Sequence, residues 1–206
     1  RPRRVRRCPP VGSCSVNHRD GVEQSIEALA AEQFGAFGRE QALALGATAR
    51  MIERRVGAGT WPVMHRGVYR VAAVPRAHEQ LAMAASLWAR PDGLVSHATA
   101  AQLWDFEAAA TDEVHLILPA VRRLHSNRVT VHRVANLLPA DVSKGPIAVT
   151  SPLRTAIDLA AVLDVAPLEV AIESAPRRRL FAAGQLRGRA EALTGQAEPA
   201  RPHSER

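Results

Sequence analysis

From Val22 to Phe34 the apolar residues Ile26, Leu29, Ala30 and Phe34 return every three to four positions, which predicts a helix. Gly35 ends it, with Gly38 close behind. Arg39 to Leu45 reads as a short helix with Ala42 and Leu45 inward, and Gly46 marks a tight turn. Thr48 is placed to cap the next helix, because its hydroxyl can accept from an otherwise unpaired first-turn N–H. At about 100° per residue, Ala49, Ile52 and Val56 share one side of that helix, and Arg50, Met51 and Arg54 fall opposite. Arg55 and Glu53 lie on the flanks. One apolar stripe facing earlier helices and a mostly basic outer face is the division a recognition helix needs. The same pattern also describes an ordinary helix with a solvated charged face. Gly59-Thr60-Trp61-Pro62 is a turn, and Val63 to Val71 forms a hairpin wing, with Gly67 at its bend and His65 and Arg66 near its tip. Trp61 is read as a packing anchor rather than a base-stacking residue.

Pro75 breaks the pattern and marks a boundary. A helix is predicted from His78 to Trp88, with Leu81, Ala84, Ala85 and Trp88 on one side. Pro91-Asp92-Gly93 is a turn, and Leu94-Val95 leads into Ser96, which can cap a helix from His97 to Trp104. Val114–Leu118, Val129–His132 and Ile147–Thr150 read as strands. Ser151-Pro152 then opens a helix, with Ser at the cap and Pro at the first helical position. Two further helices span Val165–Ala175 and Ala183–Leu193, separated by Pro176 and the basic run Arg177-Arg178-Arg179. That run is either solvated surface or a contact for phosphate or an acidic partner.

The expected fold class is therefore α+β: an N-terminal winged helix-turn-helix followed by a small mixed α/β domain. The domain boundaries are a disordered basic leader over 1–20, the winged helix over 21–74, the mixed domain over 75–193 and a disordered tail over 194–206. The leader is an unstructured tail or an arm for the DNA minor groove.

Charge sharpens the picture. The chain of 206 residues carries a net charge of +7. Residues 21–38 carry three acids and no base, residues 39–70 carry six arginines against two glutamates, and residues 71–206 are nearly balanced. Positive charge in the folded part is thus concentrated on the short helices and the wing, which favours a polyanionic partner there. No run of about 20 apolar residues exists, so no transmembrane helix is expected and a cytoplasmic location is. Cys8 and Cys14 lack the spacing and partners of a zinc tetrad.

The string FGAFGREQALALGATARMIERRVGAGTWPVMHRGVYRV resembles the N-terminal winged helix of AbiEi-type antitoxins from type IV toxin–antitoxin systems. LVSHATAAQLWDF, VHLILP and AVTSPLRTAIDLA resemble later segments of actinobacterial proteins carrying that domain, and the similarity spans roughly 22–193. The resemblance implies a DNA-binding regulator that represses its own operon. It also implies a following domain that counters a toxin of nucleotidyltransferase class. The DNA-reading role carries onto Arg39, Gln41, Thr48, Arg50 and Arg54, with Arg66 on the wing. The helix face and the wing tip add Met51, Arg55 and His65 to the expected DNA-contacting set. Many actinobacterial relatives continue into a Vsr-like endonuclease domain, whose chemistry needs clustered carboxylates, a metal and a nearby lysine. This chain stops at Arg206, holds Lys144 as its only lysine and contains no E-x-K string, so nuclease activity is not expected.

No catalytic, cofactor or metal residues are expected elsewhere. His78, His97, His115, His125 and His132 form no ligand motif, although His115 and His132 can face each other across paired strands. Gly12-Ser13 matches the opening of nucleotidyltransferases but no D-x-D follows. Ser96 beside His97 is explained by capping rather than by a nucleophile–base pair. The function expected is thus a DNA-binding transcriptional repressor of antitoxin type, not an enzyme, with double-stranded operator DNA as partner. The alternatives are a protein-interaction module neutralising a toxin, or a truncated relative of the endonuclease-fused proteins without nuclease activity. Oligomeric state and operator sequence are not readable.

Overall fold

The computed structural model describes residues 18–194 except 127, 135, 136 and 144. The expectations for Cys8, Cys14, Gly12-Ser13, Lys144, most of the leader and nearly all of the tail lie outside the described residues. The last three leader positions do not: helix α1 runs His18–Glu32, earlier than the apolar period alone suggests. It ends where Phe34 and Gly35 take φ of 53° and 85°.

A three-residue strand follows, β1 (Ala36–Gly38), which sequence patterning did not show. Then come α2 (Arg39–Ala44) and α3 (Ala49–Gly57), joined by a turn at Gly46 with φ 96°. Strands β2 (Val63–His65) and β3 (Val68–Arg70) make the wing, turned at Gly67 with φ 75°. β3 pairs antiparallel with both β1 and β2, giving a small sheet in the order β1-β3-β2. Its core is Val22, Ile26 and Ala30 of α1, Ala42, Ile52 and the aromatic trio Phe37, Trp61 and Tyr69. Trp61 is 3% exposed and meets Phe37 edge-on at 5.0 Å, so it is an anchor.

Helix α4 (His78–Ala89) is buried almost all round, including Gln80 and Ser86. One reason is that it serves two sheets. It backs onto Ala36 and Val68 of the small sheet and onto Val95, Leu116, Leu118 and Val149 of a larger one. The larger sheet contains β4 (Leu94–Val95), β5 (Val114–Pro119), β6 (Val129–Val134), β7 (Val142–Ser143) and β8 (Val149–Thr150), in the order β6-β5-β4-β8-β7. β5 and β6 are parallel, as are β4 and β8, and the other pairs are antiparallel. β4 and β7 have two residues each, too short for an alternating pattern to reveal.

Strand alternation splits β5 between two environments. Val114, Leu116 and Leu118 join the α4 core, while His115 sits near α5 (His97–Leu103), its backbone N–H donating to Thr99 Oγ1 at 2.8 Å. Beyond α5 a further core is built from Ala98, Ala101, Phe106, Ala156, Leu159, Ala171 and Phe181. It draws in α6 (Pro152–Leu159), α7 (Val165–Arg177) and α8 (Ala183–Thr194). Ser151 caps α6, and α7 continues through Pro176 to Arg177. Arg154 of α6 is buried between Asp158 at 2.8 Å and Asp141 at 3.2 Å, and Asp141 also accepts from Arg189 of α8 at 2.9 Å. This network ties α8 to the sheet side of α6. The arrangement is α+β, with a winged helix at its N-terminal end.

Candidate nucleic-acid interface

Helix α3 starts as its sequence predicts: Thr48 is extended, and its Oγ1 accepts from Met51 N–H at 3.2 Å. Its orientation differs from the expected one. Ala49 is exposed rather than inward, while Met51 is half-buried and packs on the Phe37–Trp61–Tyr69 core with Ile52 and Val56. The buried side is turned by about half of one residue step toward Met51. The physical reason is volume. The short Ala49 side chain at the first turn stays exposed, whereas the long, pliable Met51 side chain packs on the core that contains Ile52. The outward placement expected for Met51 is therefore corrected.

Arg55 differs too. Its Nε donates to Glu23 Oε1 at 3.0 Å and its Nη2 to Glu23 Oε2, a two-pronged bond from α3 to α1. Arg54 lies 3.6 Å from the same carboxylate but keeps 57% of its side chain exposed. Glu23 thus occupies Arg55 and leaves Arg54 available. Glu23 lies 32 positions upstream of Arg55, and no local motif signals the pair. Arg50 is exposed and has no carboxylate partner among the described residues. The outer face of α3 is therefore Ala49, Arg50, Glu53 and Arg54.

Gln41 is committed to local structure. Its Oε1 accepts from Gly38 N–H at 2.8 Å, and its Nε2 donates to Gln33 Oε1 at 2.9 Å. That bond caps α2 and ties it to the end of α1. Leu45, expected inward, is exposed because Ala42 and Ala47 already fill the space beneath the turn. Arg39 is half-buried at the start of α2, and its N–H donates to Gly67 O of the wing bend at 2.7 Å. Arg66 is exposed at the wing tip. His65 does not extend outward: it stacks on Trp88 of α4 at 5.0 Å. Burial and the nearby Arg128 guanidinium lower its pKa, so it is held neutral.

Between the wing bend and the end of α4 lies a cleft of about 620 Å³ lined by Arg39, Glu40, Arg66, Trp88 and Arg90 among others. Arg39 and Arg66 come together here. Arg50 and Arg54 do not line it and stand apart on α3. Sequence patterning did not single out Trp88 or Arg90 for this surface, because the cleft forms only when α4 docks under the small sheet.

A second polar cluster lies on the face of the larger sheet turned toward α5. His115 Nδ1 and His132 Nε2 are 3.0 Å apart, so the two strand histidines do meet. His97 stacks on His132 at 3.6 Å. Ser96 does not cap α5 with its side chain. Its Oγ instead bonds His97 Nδ1 at 2.9 Å, because His97 adopts φ 51° and swings its ring back toward Ser96. Burial, then His132, His115 and Arg154, push the His97 pKa down to about 3. Burial lowers His115 and His132 as well. Stacked rings do not aim their nitrogens at one point, and no such group among the described residues is arranged to hold a metal. Ser96 is fully buried, so this pair is closed to a substrate.

Residues 24–72 match a protein-family model described as a transcriptional regulator, AbiEi antitoxin. No curated protein matches the chain. Among solved structures, the crystal structure of the RV2827C protein from Mycobacterium tuberculosis is similar, with a TM-score of 0.54 and 12% sequence identity. The likeness covers 83% of this chain and 71% of that one, and it shows a shared fold. No helix among the described residues is long and apolar enough to cross a membrane.

Proposed function

We propose, on the premise that residues 24–72 are a domain of the AbiEi antitoxin regulator type, that this chain is a DNA-binding repressor acting on its own promoter. Helix α3 enters the major groove. Arg50 and Arg54 contact bases or phosphates, Thr48 lies at the helix start, and Arg39 and Arg66 hold the flanking backbone. Met51, Arg55, Gln41 and His65 serve this surface indirectly, through packing, the Glu23 clamp, the α2 cap and the Trp88 stack. The observation that carries the reading is that α3 presents two exposed arginines, one unpaired and one only grazing Glu23, on a helix held by a buried aromatic core. A recognition helix requires rigid placement of free donors.

Residues 21–74 are the DNA-reading unit in this proposal, and residues 75–193 face a nucleotidyltransferase-type toxin. Three valines support the second half: Val162 in the turn before α7, and Val165 and Val170 on α7, are exposed, Val165 by 72%. The protein works in the cytoplasm with its operator, and no catalytic step is assigned to it. A mobility-shift assay with the region upstream of its own reading frame tests the reading. Wild type shifts that duplex, and Arg50→Ala with Arg54→Ala does not, while circular dichroism stays unchanged. A shift retained by the double variant sinks it. Co-purification with a neighbouring gene product, with no shift at low salt, would favour the interaction-module alternative.

A further inference from the structure

Under the edge strand of the wing is a second pocket, of about 340 Å³. Its walls come from separate segments: β2 with His65, β3 with Arg70, the linker with Arg76, Leu81 of α4, Val114 of β5, and Arg128 just before β6. None of the residues lining it is acidic. Arg55, Arg122, Arg154 and Arg189, each partly or fully buried, are neutralised by carboxylates. In the pocket Arg70 is partly buried, Arg76 and Arg128 are exposed, and none of the three has a carboxylate partner among the described residues.

Two of the pocket arginines, Arg70 and Arg128, are instead held by main-chain carbonyls. Arg70 Nη1 donates to the oxygens of Val71, Ala72 and Val74 at 3.4, 3.3 and 3.1 Å. Arg128 Nη1 donates to Met64 O at 3.3 Å. Carbonyl dipoles orient a guanidinium but leave its full charge in place. Arg70 Nε is buried with no partner, a donor left open in a site where donors are normally satisfied. Arg76 is exposed at the mouth and has no carboxylate partner among the described residues.

We propose that this pocket binds a phosphate-class anion, held by Arg70, Arg76 and Arg128 with His65 alongside. Oriented guanidinium donors without a counter-charge match the tetrahedral, multiply charged phosphate group. The volume lies near the lower end of ligand pockets, roughly 300–1,000 Å³, which fits a small phosphorylated molecule rather than a dinucleotide. The site joins the wing to the larger sheet, so occupancy would brace the wing against the second half of the chain. The proposal stands whether or not α3 reads DNA. The same phosphate chemistry has two sources, a free small anion or the backbone of a bound duplex.

The test uses the full chain and sodium pyrophosphate, with sodium chloride at matched ionic strength as control. Pyrophosphate should bind in the millimolar range or tighter and raise the melting temperature above the chloride control. It should also raise the pH at which the His65 ring titrates by NMR, since a bound anion favours imidazolium. Arg128→Gln should weaken binding about ten-fold, the loss expected for one charge-assisted bond. Arg76→Gln, at an exposed position where folding is not at risk, should weaken it in the same direction. Arg187→Gln, exposed on α8 and outside the pocket lining, should leave it unchanged. Equal melting temperatures in pyrophosphate and chloride, or full affinity in both pocket variants, would overturn the proposal. Duplex DNA separates the sources. If Arg76→Gln with Arg128→Gln leaves duplex affinity intact while pyrophosphate binding is lost, the ligand is a free anion. If duplex affinity falls in parallel and pyrophosphate competes with duplex, the pocket takes a backbone phosphate.

Discussion

Replacing His97 by Asn removes one ring from the His97–His132–His115 stack while keeping a residue type that tolerates φ near 51°. The effect on stability depends on pH, and its sign follows from the direction of the shift. His97 is 4% exposed, and burial, then His132, His115 and Arg154, bring its pKa from 6.5 to about 3. The folded state therefore favours the neutral ring, while the unfolded chain takes up the proton near the ordinary value. The stability tied to neutral His97 is complete above pH 6.5 and drains away as pH falls toward about 3. One extra proton on the unfolded chain gives a slope of at most about 1.4 kcal/mol per pH unit, so roughly 2 kcal/mol is lost between pH 6.5 and about pH 5. His115 and His132 act in the same sense. Asp158 opposes them: burial raises its pKa to about 6, so its protonation favours the folded state as pH falls through that value. The wild-type curve is the sum of these effects, but the difference between wild type and His97→Asn isolates His97. Urea unfolding followed across that range supplies it. At neutral pH the variant is less stable by about 1 kcal/mol, for the lost bond to Ser96. By about pH 5 the gap closes or reverses, a relative change of about 2 kcal/mol. Parallel pH curves for the two proteins would refute the buried neutral assignment.

Two further substitutions probe packing and the α3 clamp. A Cβ at Gly93 would meet Ala89 Cβ at 2.3 Å, Leu118 Cδ2 at 2.8 Å and Ala89 O at 2.9 Å, so α4 would have to move off the sheet. Gly93→Ala should cost about 3 kcal/mol in chemical denaturation, and a loss below about 1 kcal/mol would show that α4 can yield there. Arg55→Ala leaves Glu23 without its principal partner. Because Arg55 is partly solvated, the cost should be about 1–2 kcal/mol by thermal unfolding, whereas Arg50→Ala should cost less than about 0.5 kcal/mol.

Much of the winged helix was legible because its signals are local. The Thr48 cap, the Gly46 and Gly67 turns and the Trp61 anchor each follow from one residue's chemistry. The exact facing of α3 was not legible. Ala49, Met51 and Val56 are all apolar, and only the space left by Phe37 and Trp61 decides which two turn inward. Arg55 looked equivalent to Arg50 and Arg54 until α1 brought Glu23 beside it. β1, β4 and β7 are too short to carry a period, and they exist because neighbouring strands recruit them. The meeting of His115 and His132 followed from strand alternation, but the inclusion of His97 rests on its positive φ, which adjacent-residue geometry on a helix does not anticipate. Arg70, Arg76 and Arg128 are 58 positions apart at their widest and converge only through the tertiary fold.

The central claim is that the outer face of α3, and not its clamped flank, meets DNA phosphates and bases. The salt dependence of binding to the upstream duplex tests it most directly, because each neutralised phosphate contributes about 0.9 to the slope of log affinity against log salt. The double replacement of Arg50 and Arg54 by Ala should lower that slope by up to about 2, and Arg55→Ala should leave it nearly unchanged. A slope that survives the double replacement, or that falls with Arg55→Ala alone, would contradict the account.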